Sequence, residues 1–340
     1  MKAAVFYGKN DLRVEEVEMP KISSPDDVLI KVHSCGICGT DMHIFDGDEG
    51  AAKTPSGTVL GHEFSGEIIA VGDNVKSVAV GDMVCVDPNQ LCNNCDYCRN
   101  GIGHFCEDMV GIGTTVNGGF AEYCVVPLSQ VHKFDDSISY SQAAMTEPVA
   151  CCLHGIDMCD IEPGATVAII GGGMIGLLML QLAKLKGAAK LIMIEPIAEK
   201  RAIAEKLGAD ITIDPFNQDV FEALSQNNIS RINTVIECVG RPGTMKQAID
   251  IAGKKSTVMM FGLTKPDDTI EIKPFEFFKK EITLKASFIN PYTQQRALSL
   301  INSGKIDVAS MIYKEIPVTE LPELLSDKKN RAAGKYIVKF

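Results

Sequence analysis

The sequence predicts an α/β protein of two domains, one barrel-like and largely antiparallel, the other a doubly wound parallel sheet. Three observations predict this. The first half reads as short β-branched strands separated by glycine turns. From about Ala143 strands alternate with helix patterns, which indicates a parallel sheet covered on both faces. Between one such strand and helix lies the run Gly171-Gly172-Gly173-Met174-Ile175-Gly176. With 340 residues, the chain has room for two domains at ~100–200 residues each.

The first-half strands are expected at Lys2–Tyr7, Val28–His33, Ser65–Val71, Met83–Val86 and Glu122–Pro127. They are bounded by Gly72-Asp73, Gly81-Asp82 and Gly118-Gly119. In the second half the expected strands are 166–170, 190–194, 211–213, 234–238, 257–261 and 282–287. Met174–Lys186 and Ala198–Leu207 carry helical patterns. The tail, from about Ala286, has a helix pattern and a strand at Tyr336–Phe340 that could complete either domain. The boundaries adopted are 1–149 with 286–340 for the first domain and 150–285 for the second.

Charge and composition exclude several classes. With 33 basic against 44 acidic residues, the net charge is −11, which argues against nucleic acid or an anionic membrane as partner. The longest apolar stretch, Val167 to Leu180, is broken by four glycines and reads as strand, turn and helix rather than a membrane span. The N-terminus lacks the pattern of a signal peptide. A reducing cytoplasm is therefore expected, where 12 cysteines serve metal binding and burial better than disulfides.

The glycine run is a G-x-G-x-x-G opening a helix after a strand. Gly171 permits the tight turn, Gly173 lets backbone approach a pyrophosphate, and Gly176 lets helix and strand pack closely. The helix N-terminus, with Met174 and Ile175, offers free N–H groups to the anion. Glu195 ends the next strand, where a carboxylate accepts hydrogen bonds from a ribose diol and repels a 2′-phosphate, so NAD is expected over NADP. Lys200 and Arg201 leave room for NADP, but on a charged helix they read as a solvated face. Arg201, Cys238 and Gly262 complete the candidate cofactor contacts.

Cys92-x-x-Cys95-x-x-Cys98-x7-Cys106 places four thiolates within fifteen residues. A closed tetrahedral zinc site that folds its own loop is expected, with an iron–sulfur cluster as the rival. Cys38, His62, Glu63 and Glu147 are scattered, and each alone fits a bland role: a small buried thiol, a hydrogen-bonded histidine, a surface charge, a helix N-terminal carboxylate.

Gly61-His62-Glu63-x2-Gly66-x5-Gly72-x2-Val75 resembles the signature of zinc-containing alcohol dehydrogenases of the medium-chain dehydrogenase/reductase superfamily. So do Gly36-Ile37-Cys38-Gly39-Thr40-Asp41, the cysteine cluster, and Gly118-Gly119-Phe120-Ala121-Glu122-Tyr123. The resemblance covers nearly the whole chain. It implies a GroES-like β-barrel catalytic domain, a Rossmann cofactor domain, and two zincs per subunit, one catalytic and one structural. Cys38 and His62 would be catalytic-zinc ligands and Glu63 a ligand or alternating ligand. Thr40 would take the substrate proton and His43 would stand later in the relay. Where such enzymes carry a third cysteine ligand, this chain has Thr146-Glu147-Pro148, as sorbitol and other polyol dehydrogenases do, with threonine and butanediol dehydrogenases nearby. Cys151, four residues after Glu147, shares its helix face and could compete as ligand. Packing beside the cofactor is the reading preferred for Cys151 and Cys152.

The expected function is therefore zinc-dependent, NAD-linked oxidation of a secondary alcohol, a polyol or vicinal diol, to a ketone, and the reverse. L-threonine-type or 2,3-butanediol-type activity is the alternative, and a non-catalytic NAD- and zinc-binding protein a distant one. His33, His104, His132 and His154 read as structural. Phe45, Ile112, Phe120 and Leu263 are read as substrate-cleft residues or equally as core. Relatives imply a homodimer or homotetramer paired through the sheet edge near 282–287.

Overall fold

The computed structural model describes residues 1–48, 53–327 and 334–340. The chain forms two compact units, Met1–Ala150 with Asn290–Phe340, and Cys151–Ile289.

In the first unit the chain runs through β1 (Lys2–Gly8), β2 (Asp11–Glu16), β3 (Asp27–Gly36), α1 (Gly39–Asp46), β4 (Thr58–Val59), β5 (Glu63–Val71), β6 (Met83–Val86) and β7 (Asn89–Gln90). It continues through α2 (Asp96–Arg99), β8 (Val110–Gly111), β9 (Tyr123–Pro127), β10 (Val131–Lys133), α3 (Tyr140–Ala144) and α4 (Thr146–Met158), the last of which crosses into the second unit. The main sheet runs β10-β6-β5-β3 and is then extended by two strands from the far end of the sequence, with β9 also on β3. β3 pairs β5 from Val28 to Gly36, with two register shifts, and also receives β9 over Asp27–Lys31. Val28, Ile30, Val32, Phe64, Ile68, Phe120 and Val126 bury the centre.

The second unit follows the alternation expected. β11 (Thr166–Ile170), α5 (Met174–Leu185), β12 (Lys190–Ile194), α6 (Ala198–Leu207), β13 (Ile211–Ile213), α7 (Val220–Gln226), β14 (Thr234–Glu237), α8 (Pro242–Ile251), β15 (Thr257–Met260), α9 (Pro274–Lys280) and β16 (Thr283–Ala286) succeed one another. All pairings are parallel, in the order β13-β12-β11-β14-β15-β16. Val167, Ala168, Ile169 and Ile170 are consecutive and all buried. That is the pattern of a strand covered on both faces, where no side chain turns to water.

The chain then returns to the first unit through α10 (Gln294–Asn302), β17 (Ile312–Pro317), α11 (Leu321–Ser326) and β18 (Lys335–Lys339). β18 pairs antiparallel with β3, opposite Ser34–Gly36, whereas β17 pairs parallel with β18. The otherwise antiparallel sheet thus ends in one parallel pair, which the alternating pattern of the first half gives no means to expect.

Candidate metal centre and dinucleotide site

Cys38, His62 and Glu63 come together because two strands end side by side. Gly36, the last residue of β3, sits opposite Glu63, the first of β5. Cys38 follows two residues later at the N-cap of α1, its N–H donating to Asp41 Oδ2 at 2.8 Å. One ligand atom from each of the three side chains lies within 4.8 Å of the others. A thiolate, an imidazole and a carboxylate in this span form a donor set that suits a zinc with one position left open.

Two further residues, neither singled out in the sequence, hold this trio. Asp41 is fully buried and its Oδ1 lies 3.4 Å from His62 Nδ1, leaving the other ring nitrogen for a metal. Burial opposes charge on His62, but the Asp41 carboxylate and the Cys38 thiol together raise its pKa well above the ordinary histidine value. Lys335, opening β18, is buried against Glu63: its ammonium donates to Glu63 Oε2 and to the Ile37 carbonyl at 2.9 Å. Burial works against that ammonium, while Glu63, Cys38 and Glu147 more than offset it and raise its pKa. Glu63 Oε1 is buried and has no hydrogen-bond partner. A buried oxygen left in this state needs a cation or a donor, so the residues fit the metal.

Thr40 stands on the first turn of α1, its hydroxyl 3.7 Å from Cys38 Sγ. His43, on the same helix, is half-exposed and reaches Asp48 at 3.3 Å. Glu147 is buried in the first turn of α4, outside the trio but near enough to act on Lys335. Cys151 lies later on α4, and Cys152 is buried with its thiol toward the Ile175 carbonyl at 4.0 Å. Phe45, Ile112 and Phe120 belong to the barrel core, whereas Leu263 is exposed. His33 stacks on Tyr140, His132 meets Gln295, and His104 packs on Phe105.

The four cysteines of the loop gather as the spacing predicts. The sulfurs of Cys92, Cys95, Cys98 and Cys106 all lie within 4.8 Å of one another, and Cys92 and Cys98 are 4.0 Å apart. A tetrahedron with zinc–sulfur bonds of about 2.3 Å has edges of about 3.8 Å. Backbone N–H groups point at the sulfurs: Cys92 N at Cys106 Sγ (3.3 Å), Asn94 N at Cys92 Sγ (3.4 Å) and Cys95 N at Cys92 Sγ (3.3 Å). Such donors favour thiolates. Those from Cys98 and Glu107 draw the Cys95 thiol down to about 7.

The glycine turn joins β11 to α5. Gly171 has φ +99°, a left-handed conformation that a side chain would strain, and a Cβ at Gly176 would overlap the Gly171 carbonyl oxygen. Around Gly173 a Cβ would meet nothing within 4 Å, so its backbone is open to a ligand. Glu195 is buried beside this turn and accepts from Gly172 N at 2.6 Å and Ile197 N at 2.9 Å. Arg201 is not a solvated side chain: its guanidinium bonds the Glu195 carbonyl at 2.7 Å and Asp214 at 3.2 Å. Cys238 and Gly262 follow the carboxyl ends of β14 and β15, the edge where such sheets take ligands. There Glu237 accepts from Val239 N, Gly240 N and the Thr244 hydroxyl.

The comparisons with known proteins identify the family. Residues 24–136 match the family "Alcohol dehydrogenase GroES-like domain" and residues 175–303 match "Zinc-binding dehydrogenase". The chain is 33% identical over 341 residues to D-arabinitol dehydrogenase 1 of Uromyces fabae, covering 99% of this chain and 96% of that protein. To L-threonine 3-dehydrogenase of Caldanaerobacter subterraneus it is 35% identical over 339 residues, covering 98% and 96%. A zinc-binding dehydrogenase-type protein of Sinorhizobium meliloti 1021, solved with NADP bound, superimposes with a TM-score of 0.95 at 37% identity, covering 100% of this chain and 99% of that one. With both family domains matched and relatives aligned end to end, the chain belongs to the zinc-binding alcohol dehydrogenase family and is an oxidoreductase of the alcohol and polyol dehydrogenase class.

Proposed function

We propose that the protein oxidises a secondary hydroxyl of a polyol or vicinal diol to a ketone with NAD, and runs the reverse. The observation that carries this reading is the Cys38–His62–Glu63 trio, its histidine and glutamate buried, with the free Glu63 oxygen beside a cysteine and a histidine. Zinc held there would supply Lewis acidity of the kind that makes a bound water far more acidic than bulk water, down to about 7. Cys92, Cys95, Cys98 and Cys106 would hold a second, structural zinc with no open position. Thr40 would accept the substrate proton and pass it toward His43, whose ring is half in water. Glu147, with no cysteine in its place, leaves the ligand set rich in carboxylate, which suits a chelating polyhydroxy substrate. Gly171, Gly173, Met174, Ile175, Gly176 and Glu195, with Arg201, Cys238 and Gly262 around them, would seat the dinucleotide and orient it.

The arabinitol dehydrogenase relative favours a polyol, and the threonine dehydrogenase relative keeps L-threonine as a second reading. The test is a panel of polyols, 2,3-butanediol and L-threonine assayed by nicotinamide reduction with NAD and with NADP. Turnover of polyols with NAD supports the proposal. Turnover confined to L-threonine replaces it with the second reading. The assembly that fits is a homodimer or homotetramer in which β16, the free edge of the parallel sheet, meets a second copy. Leu284 on that strand and Phe275, Phe278 and Phe288 around it are exposed. Twelve cysteines without a disulfide fit a reducing compartment, which we take to be the cytoplasm, and among the described residues no helix is long and apolar enough to cross a membrane.

A further inference from the structure

Asp214 directly follows β13, the strand beside β12, at the carboxyl edge of the parallel sheet. Its side chain is largely buried and well supplied with donors. Oδ1 accepts from Phe216 N at 3.0 Å, and Oδ2 accepts from Asn217 Nδ2 at 3.0 Å and faces Arg201 Nη1 at 3.2 Å. The Asn217 side chain, the Phe216 N–H and the Arg201 guanidinium together hold its carboxyl below the ordinary aspartate range, so it is charged at neutral pH.

The same Nη1 of Arg201 donates to the backbone carbonyl of Glu195, the residue whose carboxylate stands beside the glycine turn. A guanidinium a few residues past such a carboxylate is the group that can accommodate a 2′-phosphate. Here it is pulled instead between a carboxylate and a carbonyl. The solved fold neighbour with NADP bound shows that a backbone of this shape accepts the phosphorylated cofactor, so something other than shape must set the choice.

We propose that Asp214 is a positioning residue for cofactor choice: by holding Arg201 against the Glu195 carbonyl, it withholds that guanidinium from a 2′-phosphate and keeps the site selective for NAD. The proposal rests on the NAD reading above. In this arrangement the chain carries two opposed determinants. Glu195 disfavours a 2′-phosphate, and Arg201 would favour one if Asp214 released it. Replacing Asp214 by asparagine keeps an oxygen for Phe216 N and the shape of the turn while removing the charge that anchors Arg201.

The test is equilibrium binding of NADH and NADPH, read by nicotinamide fluorescence, to wild type, Asp214→Asn and the double variant Asp214→Asn/Arg201→Ala. Thermal melting serves to confirm that each protein is folded. Expected is a drop of about tenfold in the NADPH-to-NADH Kd ratio for Asp214→Asn, ~1.4 kcal/mol, arising from tighter NADPH. The ratio should return to near the wild-type value in the double variant. Three results overturn the proposal: a ratio unchanged in Asp214→Asn, a parallel weakening of both cofactors, or a ratio that falls equally in the double variant. The last would mean that Asp214 acts by its own charge, not through Arg201. Wild type binding NADPH more tightly than NADH would overturn it at its root and identify the NAD reading as the failure.

Discussion

Lys335→Met isolates what the buried ammonium does for the metal centre. Methionine keeps most of the lysine stem's volume and removes its charge. In chelator-treated protein, Glu63, fully buried, then loses its ammonium partner, and the Ile37 carbonyl loses a donor. Removing one member of a buried ion pair costs about 3–5 kcal/mol. Converting Glu63 to glutamine at the same time leaves no charge stranded, so the double variant should lose clearly less than the single. With zinc restored, a divalent cation beside the free Glu63 oxygen takes over the compensation, and the loss in Lys335→Met should shrink to less than half. Hydrogen exchange at the amides of β3 and β5, followed by mass spectrometry, reads the local opening free energy where the effect falls. Cobalt in place of zinc adds an electronic spectrum that changes if Glu63 moves onto the metal. Equal destabilisation with and without zinc, together with an unchanged cobalt spectrum, would refute the reasoning, because Glu63 would then belong to Lys335 alone.

Cys106→Ser should lower bound zinc from about two to about one per subunit and expose the 88–111 loop to protease, while Cys38→Ser removes the other zinc and leaves that loop protected; elemental analysis separates them. Gly173→Ala should leave the melting temperature unchanged and weaken NADH binding at least tenfold, ~1.4 kcal/mol, since its Cβ enters open space above the turn. Gly176→Ala should lower both, because its Cβ collides with the Gly171 carbonyl. Leu284→Glu should shift the protein toward monomer in sedimentation, and no shift would remove β16 as the interface. Burial, with Lys31 nearby, lowers the His33 pKa. The unfolded chain therefore binds the extra proton first, and this residue's contribution to stability is lost as pH falls from about 6.5 through the lowered folded value. His33→Gln should flatten that part of the stability profile.

What could be read in the sequence was whatever depends on neighbours in sequence. The four cysteines share one loop, and the glycine turn carries its strand and helix with it. The six strands of the parallel sheet differ from their expected limits by at most a residue at either end. The gathering of Cys38, His62 and Glu63 needed the family resemblance, because β3 and β5 only pair once the sheet exists. Lys335 was invisible for a physical reason. A lone lysine in a charged tail reads as solvated, and its partner lies 272 residues away. Asp41 was hidden similarly inside a short helix, whose glycine-flanked eight residues gave no apolar period. Arg201 on its charged helix suggested a wet face, and the Asp214 that buries it belongs to the following strand turn.

The placement of β18 bears on how this molecule comes into being. The parallel-sheet unit is built from one uninterrupted stretch, Cys151–Ile289, so all of its strands have been made once that stretch has left the ribosome. The sheet carrying Cys38, His62 and Glu63 lacks its lysine until Lys335 has been made, so the metal trio spends most of synthesis with a carboxylate awaiting its cation. A zinc ion captured early would fill that gap, making metal supply during translation a determinant of yield as well as of activity.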